Sequence, residues 1–265
     1  TIEKSWISRD IFIQIGSAKS GLYIYINGEE VGYSEDSKNP ADFIINNYVK
    51  SGENVVTLKV YKYCSGSYLD DQDMWRFGGI QRDVILYSQP KLHIKDFSIV
   101  STLDDQYLNG LLRINITLVN HEAATMDCVI HYDVYDSDNK TIVVSGEKSA
   151  ILDEDDKLDL SFLENTIENV RQWNDEHPNL YMLVFTLKGT DGDIIEIVPY
   201  RIGFRRTDFS TRTYNGKEYP VLLFNGKEVI YKGANIHEHN EKTGQYVTDD
   251  LHYKDIELLK QNNFN

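Results

Sequence analysis

An all-β chain is what this sequence predicts: two β-sandwiches in series, then a small meander that leads into a strand and a helix. Three observations lead there. Short runs rich in Ile, Val, Leu, Tyr and Phe recur along the first two hundred or so residues, each closed by Gly, Asn, Asp or Pro. Several of these runs alternate apolar and polar residues, the mark of a strand with one face in a core. A helical spacing of apolar residues emerges near the end of the chain, after Thr248.

The totals narrow the function classes. A length of 265 residues suffices for one or two domains with real cores. The net charge of −15 and pI near 4.8 set up a field that repels phosphate backbones and anionic lipid. Nucleic acid and membrane surfaces are therefore not expected as partners. No apolar run approaches the ~18 residues of a membrane span. The 18 Tyr among 12% aromatic residues lean toward strands and toward surfaces that touch sugars. Cys64 and Cys128 lie far apart and make no disulfide framework, so a reducing, cytoplasmic compartment is expected. No basic-then-apolar leader is visible, and Thr1 opens on what reads as mid-domain sequence.

Residues 1–89 form the first segment. Ile11–Ile15 ends at Gly16, and Leu22–Ile26 runs into Asn27-Gly28, a type I′ hairpin signal with Val31-Gly32-Tyr33 as the return strand. Phe43–Ile45 and Val55–Tyr63 supply two further strands, and Val84–Tyr87 closes the unit as a sandwich or jelly roll. Between them lies Gly66–Asp83, reading GSYLDDQDMWRFGGIQRD, with four acids, two arginines and a Gly-Gly pair. Neither helical nor strand periodicity fits this stretch. A structured loop of this kind should bury Trp75 and Phe77 while pairing Asp70, Asp71 and Asp73 with donors or a cation. Long structured loops commonly carry function. A corner loop whose Trp plugs the core and whose acids face water is the plain alternative. Arg82-Asp83 reads as an ion pair supporting the loop.

Residues 90–207 follow Pro90 and hold seven strand-like runs: Leu92–Ser101, Leu111–Asn120, Cys128–Tyr135, Thr141–Ser145, Leu158–Phe162, Tyr181–Leu187 and Ile194–Pro199. That density suggests an immunoglobulin-like β-sandwich. Leu112, Ile114, Ile116 and Leu118 alternate with Arg113, Asn115 and Thr117, which fixes the inner face. The acidic run Asp153–Asp156 reads as a solvated loop.

Residues 208–265 change grammar. Tyr214-Asn215-Gly216-Lys217 and Phe224-Asn225-Gly226-Lys227 are two Asn-Gly turns of a meander. Val229–Asn235 is expected as a strand. Thr248 or Asp249 caps a helix carrying Leu251, Tyr253, Ile256 and Leu259, with Asp249-Asp250 at the positive end of its dipole. Phe264 would begin the next strand, so this is the opening of a βαβ unit. At the carboxyl end of the first strand stands Gly233-Ala234-Asn235-Ile236-His237-Glu238-His239. The connection from Ile236 to Thr248 is longer than the usual 2–6 residues of a βα loop, which favours function for His237. Zinc is a weaker reading, because HEH lacks the His-Glu-x-x-His spacing. Imidazoles that merely bond nearby backbone remain the structural alternative.

These motifs resemble glycoside hydrolase family 2, in particular the large bacterial β-galactosidases. Asp71-Gln72-Asp73-Met74-Trp75-Arg76, then Gly79-Ile80 and Arg82-Asp83-Val84, match its D-Q-D-M-W-R…G-I…R-D-V segment. Glu3, Ser5-Trp6, Asn27-Gly28, Val31-Gly32-Tyr33, Asp36-Ser37 and Gly52-Glu53-Asn54 also match. Trp173 with Pro178-Asn179-Leu180-Tyr181, and Gly203-Phe204-Arg205, are similar to elements of its central domain. The resemblance implies a sugar-binding jelly-roll domain at 1–89 lacking its first strands, an immunoglobulin-like sandwich at 90–207, and the start of a catalytic TIM barrel at 208–265, cut after the first βα unit. It implies a parent enzyme, homo-oligomeric, that hydrolyses terminal β-D-galactosides with retention.

By the same resemblance His237 contacts substrate and favours the transition state, Asn235 accompanies it, and Asp73 binds the galactose 6-hydroxyl and a sodium ion. Magnesium is implied too, with ligands past the end of this chain. The family motif is G-V-N-R-H-E-H; Ile236 stands where Arg is usual, and what that Arg supports is open here. A retaining glycosidase needs two carboxylates about 5–5.5 Å apart. The family draws both, as glutamates, from later barrel strands, and Glu238 alone cannot do both jobs, so this chain is expected to be inactive. No Gly-x-Ser-x-Gly elbow or phosphate-cradling loop offers other chemistry. β-Glucuronidases and β-mannosidases share the Asn-x-His-Glu pattern but generally lack D-Q-D-M-W. A non-catalytic carbohydrate-binding or scaffold module, or an adhesive sandwich, is the rival from another class.

Overall fold

Alternation decides where the first core lies. In β1 (Asp10–Ile15) the side chains of Ile11, Ile13 and Ile15 are buried. In β3 (Gly21–Ile26), reached after the two-residue β2 (Ala18–Lys19), Leu22, Ile24 and Ile26 are buried in the same way. These six residues, with Ile2, Ala18 and Ile45, make one apolar cluster. Each such side chain contributes on the order of 1.5–3 kcal/mol relative to exposure. The remaining strands are β4 (Glu29–Ser34), β5 (Ala41–Ile44), β6 (Val56–Tyr61), β7 (Gly79–Ile80) and β8 (Val84–Gln89). Sheets β5-β1-β8 and β4-β3-β6 supply the two layers, and β2 pairs with β7. This is the partial jelly-roll sandwich that the sequence predicts. Asn27 and Gly28, at φ 52° and 90°, form the hairpin turn between β3 and β4, as an Asn-Gly pair should.

This computed structural model describes residues 1–70, 75–136, 138, 140–162 and 164–265. Of the described residues, strand makes up 51% and helix 9%, in keeping with an all-β class. Contacts divide the chain into two compact units, Thr1–Gln89 with Gly233–Phe264, and Pro90–Lys232 with Asn265.

The second unit contains β9 (Leu92–Leu103), β10 (Gly110–Asn120), β11 (Met126–Tyr135), β12 (Ile142–Leu152), β13 (Lys157–Ser161), β14 (Asn165–Ile167), β15 (Tyr181–Gly189) and β16 (Ile194–Ile202). In one sheet β10 pairs with β9, β13 and β14; the other runs β12-β11-β15-β16. Leu112, Ile114, Ile116 and Leu118 point inward as predicted, meeting Cys128, Ile130, Tyr132 and Val134 of β11 and Leu183, Phe185 and Leu187 of β15. The meander β17 (Thr207–Tyr214), β18 (Lys217–Phe224) and β19 (Lys227–Glu228) turns at Asn215-Gly216 and Asn225-Gly226, all four at positive φ.

Both cysteines are free. Burial, with the nearby Asp127 charge adding to it, pushes the Cys128 thiol up to about 11. An iodoacetamide time course at pH 8 should therefore label Cys64, which is partly exposed, while Cys128 reacts only on unfolding. Equal labelling of both in the native protein would contradict this packing.

One predicted element differs. Residues 229–235 carry no regular strand. A strand exists through its ladder, and the bonds here are few: Val229 N–H to the Leu222 carbonyl at 3.0 Å, and Asn265 N–H to the Lys232 carbonyl at 3.2 Å. With a single residue of neighbouring chain alongside, no ladder can propagate. The helix does form as predicted, as Asp249–Gln261 with Thr248 at its N-cap, and none of its side chains is buried. Among the described residues no helix is long and apolar enough to cross a membrane.

Candidate functional site

The Gly66–Asp83 stretch is fixed at its base by one carboxylate. Glu35 accepts hydrogen bonds from Ser65 Oγ at 2.6 Å, from the Gly66 N–H at 2.9 Å and from Tyr33 O–H at 2.6 Å. Just beyond, Ser67 opens a one-turn helix, α1 (Ser67–Asp70); its Oγ accepts from the Cys64 N–H at 3.0 Å and is hydrogen-bonded to Ser20 Oγ at 2.5 Å. At the far end Gly16 donates its N–H to the Asp83 carbonyl and Gln81 donates to the Ser17 carbonyl. In between, buried Lys19 donates Nζ to the Trp75 carbonyl at 3.1 Å.

The bonds from Ser65, Tyr33 and Gly66, in that order, hold the Glu35 carboxyl below its ordinary 4.5. Because the folded value is the lower one, this anchorage is complete above 4.5 and fades as pH falls through the depressed value. Trp75 fluorescence should report a loop transition on acidification that begins below that ordinary value. Glu35→Gln should abolish the acid step, and a variant that keeps it would show that another group is titrating.

Trp75 and Phe77 are not buried as expected: they remain 57% and 41% exposed. Their partner is a third ring instead of the core. His239 lies 3.9 Å from Trp75, edge-on at 68°, and 5.7 Å from Phe77, stacked at 9°. Both aromatic rings keep part of their surface exposed beside the imidazole. His239 Nδ1 is itself buried, with no hydrogen-bond partner among the described residues.

Glu238, one residue earlier, faces other neighbours. Its Oε2 lies 3.3 Å from Arg82 Nη2 and 3.7 Å from Lys38 Nζ, and its Oε1 lies 3.8 Å from His252 Nε2. Arg82 thus pairs with Glu238 and the Lys38 carbonyl rather than with Asp83, correcting the sequence expectation. Adjacent residues of a loop rarely present their side chains to one another, so a partner distant in sequence is the better one. Gln81 donates Nε2 to Gln245 Oε1 in a pair of buried amides. Glu238, Arg82, His252, Gln81 and Gln245 line a cleft of about 570 Å³ that also includes Asp249 and Asp250 at the start of the second helix, α2 (Asp249–Gln261).

Asn235 and His237 are both exposed on the same segment. Asp73 lies outside the described residues. The structure therefore joins the aromatic end of the loop to the His-Glu-His segment through His239 and Glu238. Glu35, Lys38, Gln81, Gln245 and His252 were not singled out from sequence. Their partners stand far away in the chain, and no spacing rule links them.

Residues 1–90 match the family described as "Glycosyl hydrolases family 2, sugar binding domain", 92–205 match "Glycosyl hydrolases family 2", and 217–265 match "Glycosyl hydrolases family 2, TIM barrel domain". A β-galactosidase of Priestia megaterium is 38% identical over 100% of this chain and 25% of its own length. A β-galactosidase large subunit of Lactobacillus acidophilus is 35% identical over 97% of this chain and 38% of its own length. The chain thus spans between a quarter and two-fifths of these two relatives. Among solved structures, a Bacteroides uniformis β-glucuronidase superposes with a TM-score of 0.89 at 22% identity, covering 100% of this chain and 32% of that one. A putative β-galactosidase from Bacteroides fragilis gives 0.80 at 16% identity, over 98% of this chain and 38% of that one. At these identities the structural likeness speaks to fold alone. Three consecutive matches to one family run almost from end to end, and together with the full-length likeness to the Priestia protein they establish that this chain belongs to glycoside hydrolase family 2.

Proposed function

We infer that the chain is a portion of a retaining β-galactosidase that hydrolyses terminal non-reducing β-D-galactosides. The observation that carries this reading is the meeting of the sandwich loop with the His-Glu-His segment, Trp75 against His239 at 3.9 Å. Asp73 and His237 each stand two residues along the chain from that contact, which supports assigning both to one site. His237 and Asn235 contact the sugar there, and Asp73 takes its 6-hydroxyl and a sodium ion. The exposed aromatic surface of Trp75 and Phe77 suits the C–H faces of a pyranose. In this reading residues 1–89 form the sugar-binding domain, 90–207 the spacer and 208–265 the start of the barrel, within a cytoplasmic homo-oligomer.

Glu238 alone cannot be both nucleophile and acid/base, and its pairing with Arg82 and Lys38 supports reading it as a structural carboxylate. Those two groups belong to later barrel strands, and the chain alone is expected to be inactive. Magnesium belongs to that later part as well.

Substrate choice follows from charge. A glucuronide would place its own carboxylate beside that of Asp73, whereas the galactose hydroxymethyl group is neutral. The full-length enzyme should hydrolyse p-nitrophenyl β-D-galactoside in preference to the β-D-glucuronide and β-D-mannoside by roughly 10²-fold or more in kcat/KM. Preference for the glucuronide would replace this reading with a sister activity. Turnover of none would favour a carbohydrate-binding or scaffold module.

A further inference from the structure

The connection from Ile236 to Thr248 is held at points remote from it in sequence. Glu238 hydrogen-bonds the end of the sandwich loop at Arg82 and lies within 4 Å of two further elements, the turn at Lys38 and α2 at His252. Arg82 is itself oriented, because its Nη1 donates to the Lys38 carbonyl at 3.0 Å. The buried Gln81–Gln245 pair fastens the other end of the same connection. Partly exposed ion pairs contribute little to stability. What the pairing does fix is direction, since an Arg82 guanidinium already held by the Lys38 carbonyl, with Lys38 Nζ close by, leaves the carboxylate few alternative placements.

We propose that Glu238 is a positioning residue: its pairing with Arg82 and Lys38 sets how the 236–248 connection presents His237 to the sugar. The proposal rests on the reading of His237 given above. Glu238 touches no substrate in this scheme and moves no proton. It acts through its neighbour, because a shift of about 1 Å at a contacting group can cost about 10²-fold in rate.

The test compares Glu238→Gln, Arg82→Glu and the double reversal Glu238→Arg/Arg82→Glu. In the 265-residue chain the readout is hydrogen exchange of the 236–248 amides; in the full-length enzyme it is kcat and KM. Glu238→Gln should speed exchange in that segment about tenfold while leaving β10 and β11 unchanged. It should lower kcat roughly tenfold with a smaller change in KM, and the double reversal should recover part of both losses, limited by Lys38 beside position 238. Unaltered exchange in Glu238→Gln overturns the proposal. So does a kcat deficit that persists in the double reversal after exchange has recovered, because Glu238 would then meet the substrate itself. A full-length protein that turns over no β-galactoside refutes the His237 reading instead, and the exchange data still decide whether Glu238 is the clamp.

Discussion

Replacing Phe185 with alanine should destabilise the second sandwich by about 3–5 kcal/mol. The ring is fully buried in β15, opposite Tyr132 of β11 and Val198 of β16 across the ladders. Phe97 packs against it at 5.2 Å and then reaches Tyr200 at 5.2 Å, so the deleted ring leaves a hole between both sheets. Strands held in two ladders cannot collapse into such a hole, so most of the cavity cost should remain. Urea unfolding followed by circular dichroism should show a lowered midpoint at unchanged slope. Phe209→Ala is the control: that ring is 85% exposed, and its loss should change stability by no more than about 0.5 kcal/mol. A Phe185→Ala cost as small as that of Phe209→Ala would mean that the core is not packed as described.

His237→Ala in the full-length enzyme should reduce kcat by about 10²–10³-fold, the loss typical of one hydrogen-bonding group aimed at developing charge. Stability should change by no more than about 0.5 kcal/mol, because the side chain is exposed. If the contact forms mainly in the transition state, kcat and kcat/KM should fall together. A rise in KM at constant kcat would instead make His237 a ground-state binder. An effect below threefold on both would remove it from the site.

The strands of the two sandwiches were legible because their signals are local. Leu112, Ile114, Ile116 and Leu118 alternate with polar residues, and all four are buried. Asn27-Gly28, Asn215-Gly216 and Asn225-Gly226 specify positive φ at both turn positions, and all six residues adopt it. The site was legible as a pair of motifs and not as a geometry. Trp75 and Phe77 look like core residues from their type, yet both stay open because His239, from another part of the chain, became their partner. Val229–Asn235 has a strand's composition but no ladder, since composition cannot provide the neighbouring strand.

Turns, inner faces and family motifs are properties of a few consecutive residues, and the order of amino acids was enough to specify them. The clamp on the His-Glu-His segment is of another kind. Arg82 meets Glu238 across 156 residues and Gln81 meets Gln245 across 164. Such pairs exist because the folded path brings two loops to one place, where a charge or a buried amide must find whichever complementary group has arrived beside it.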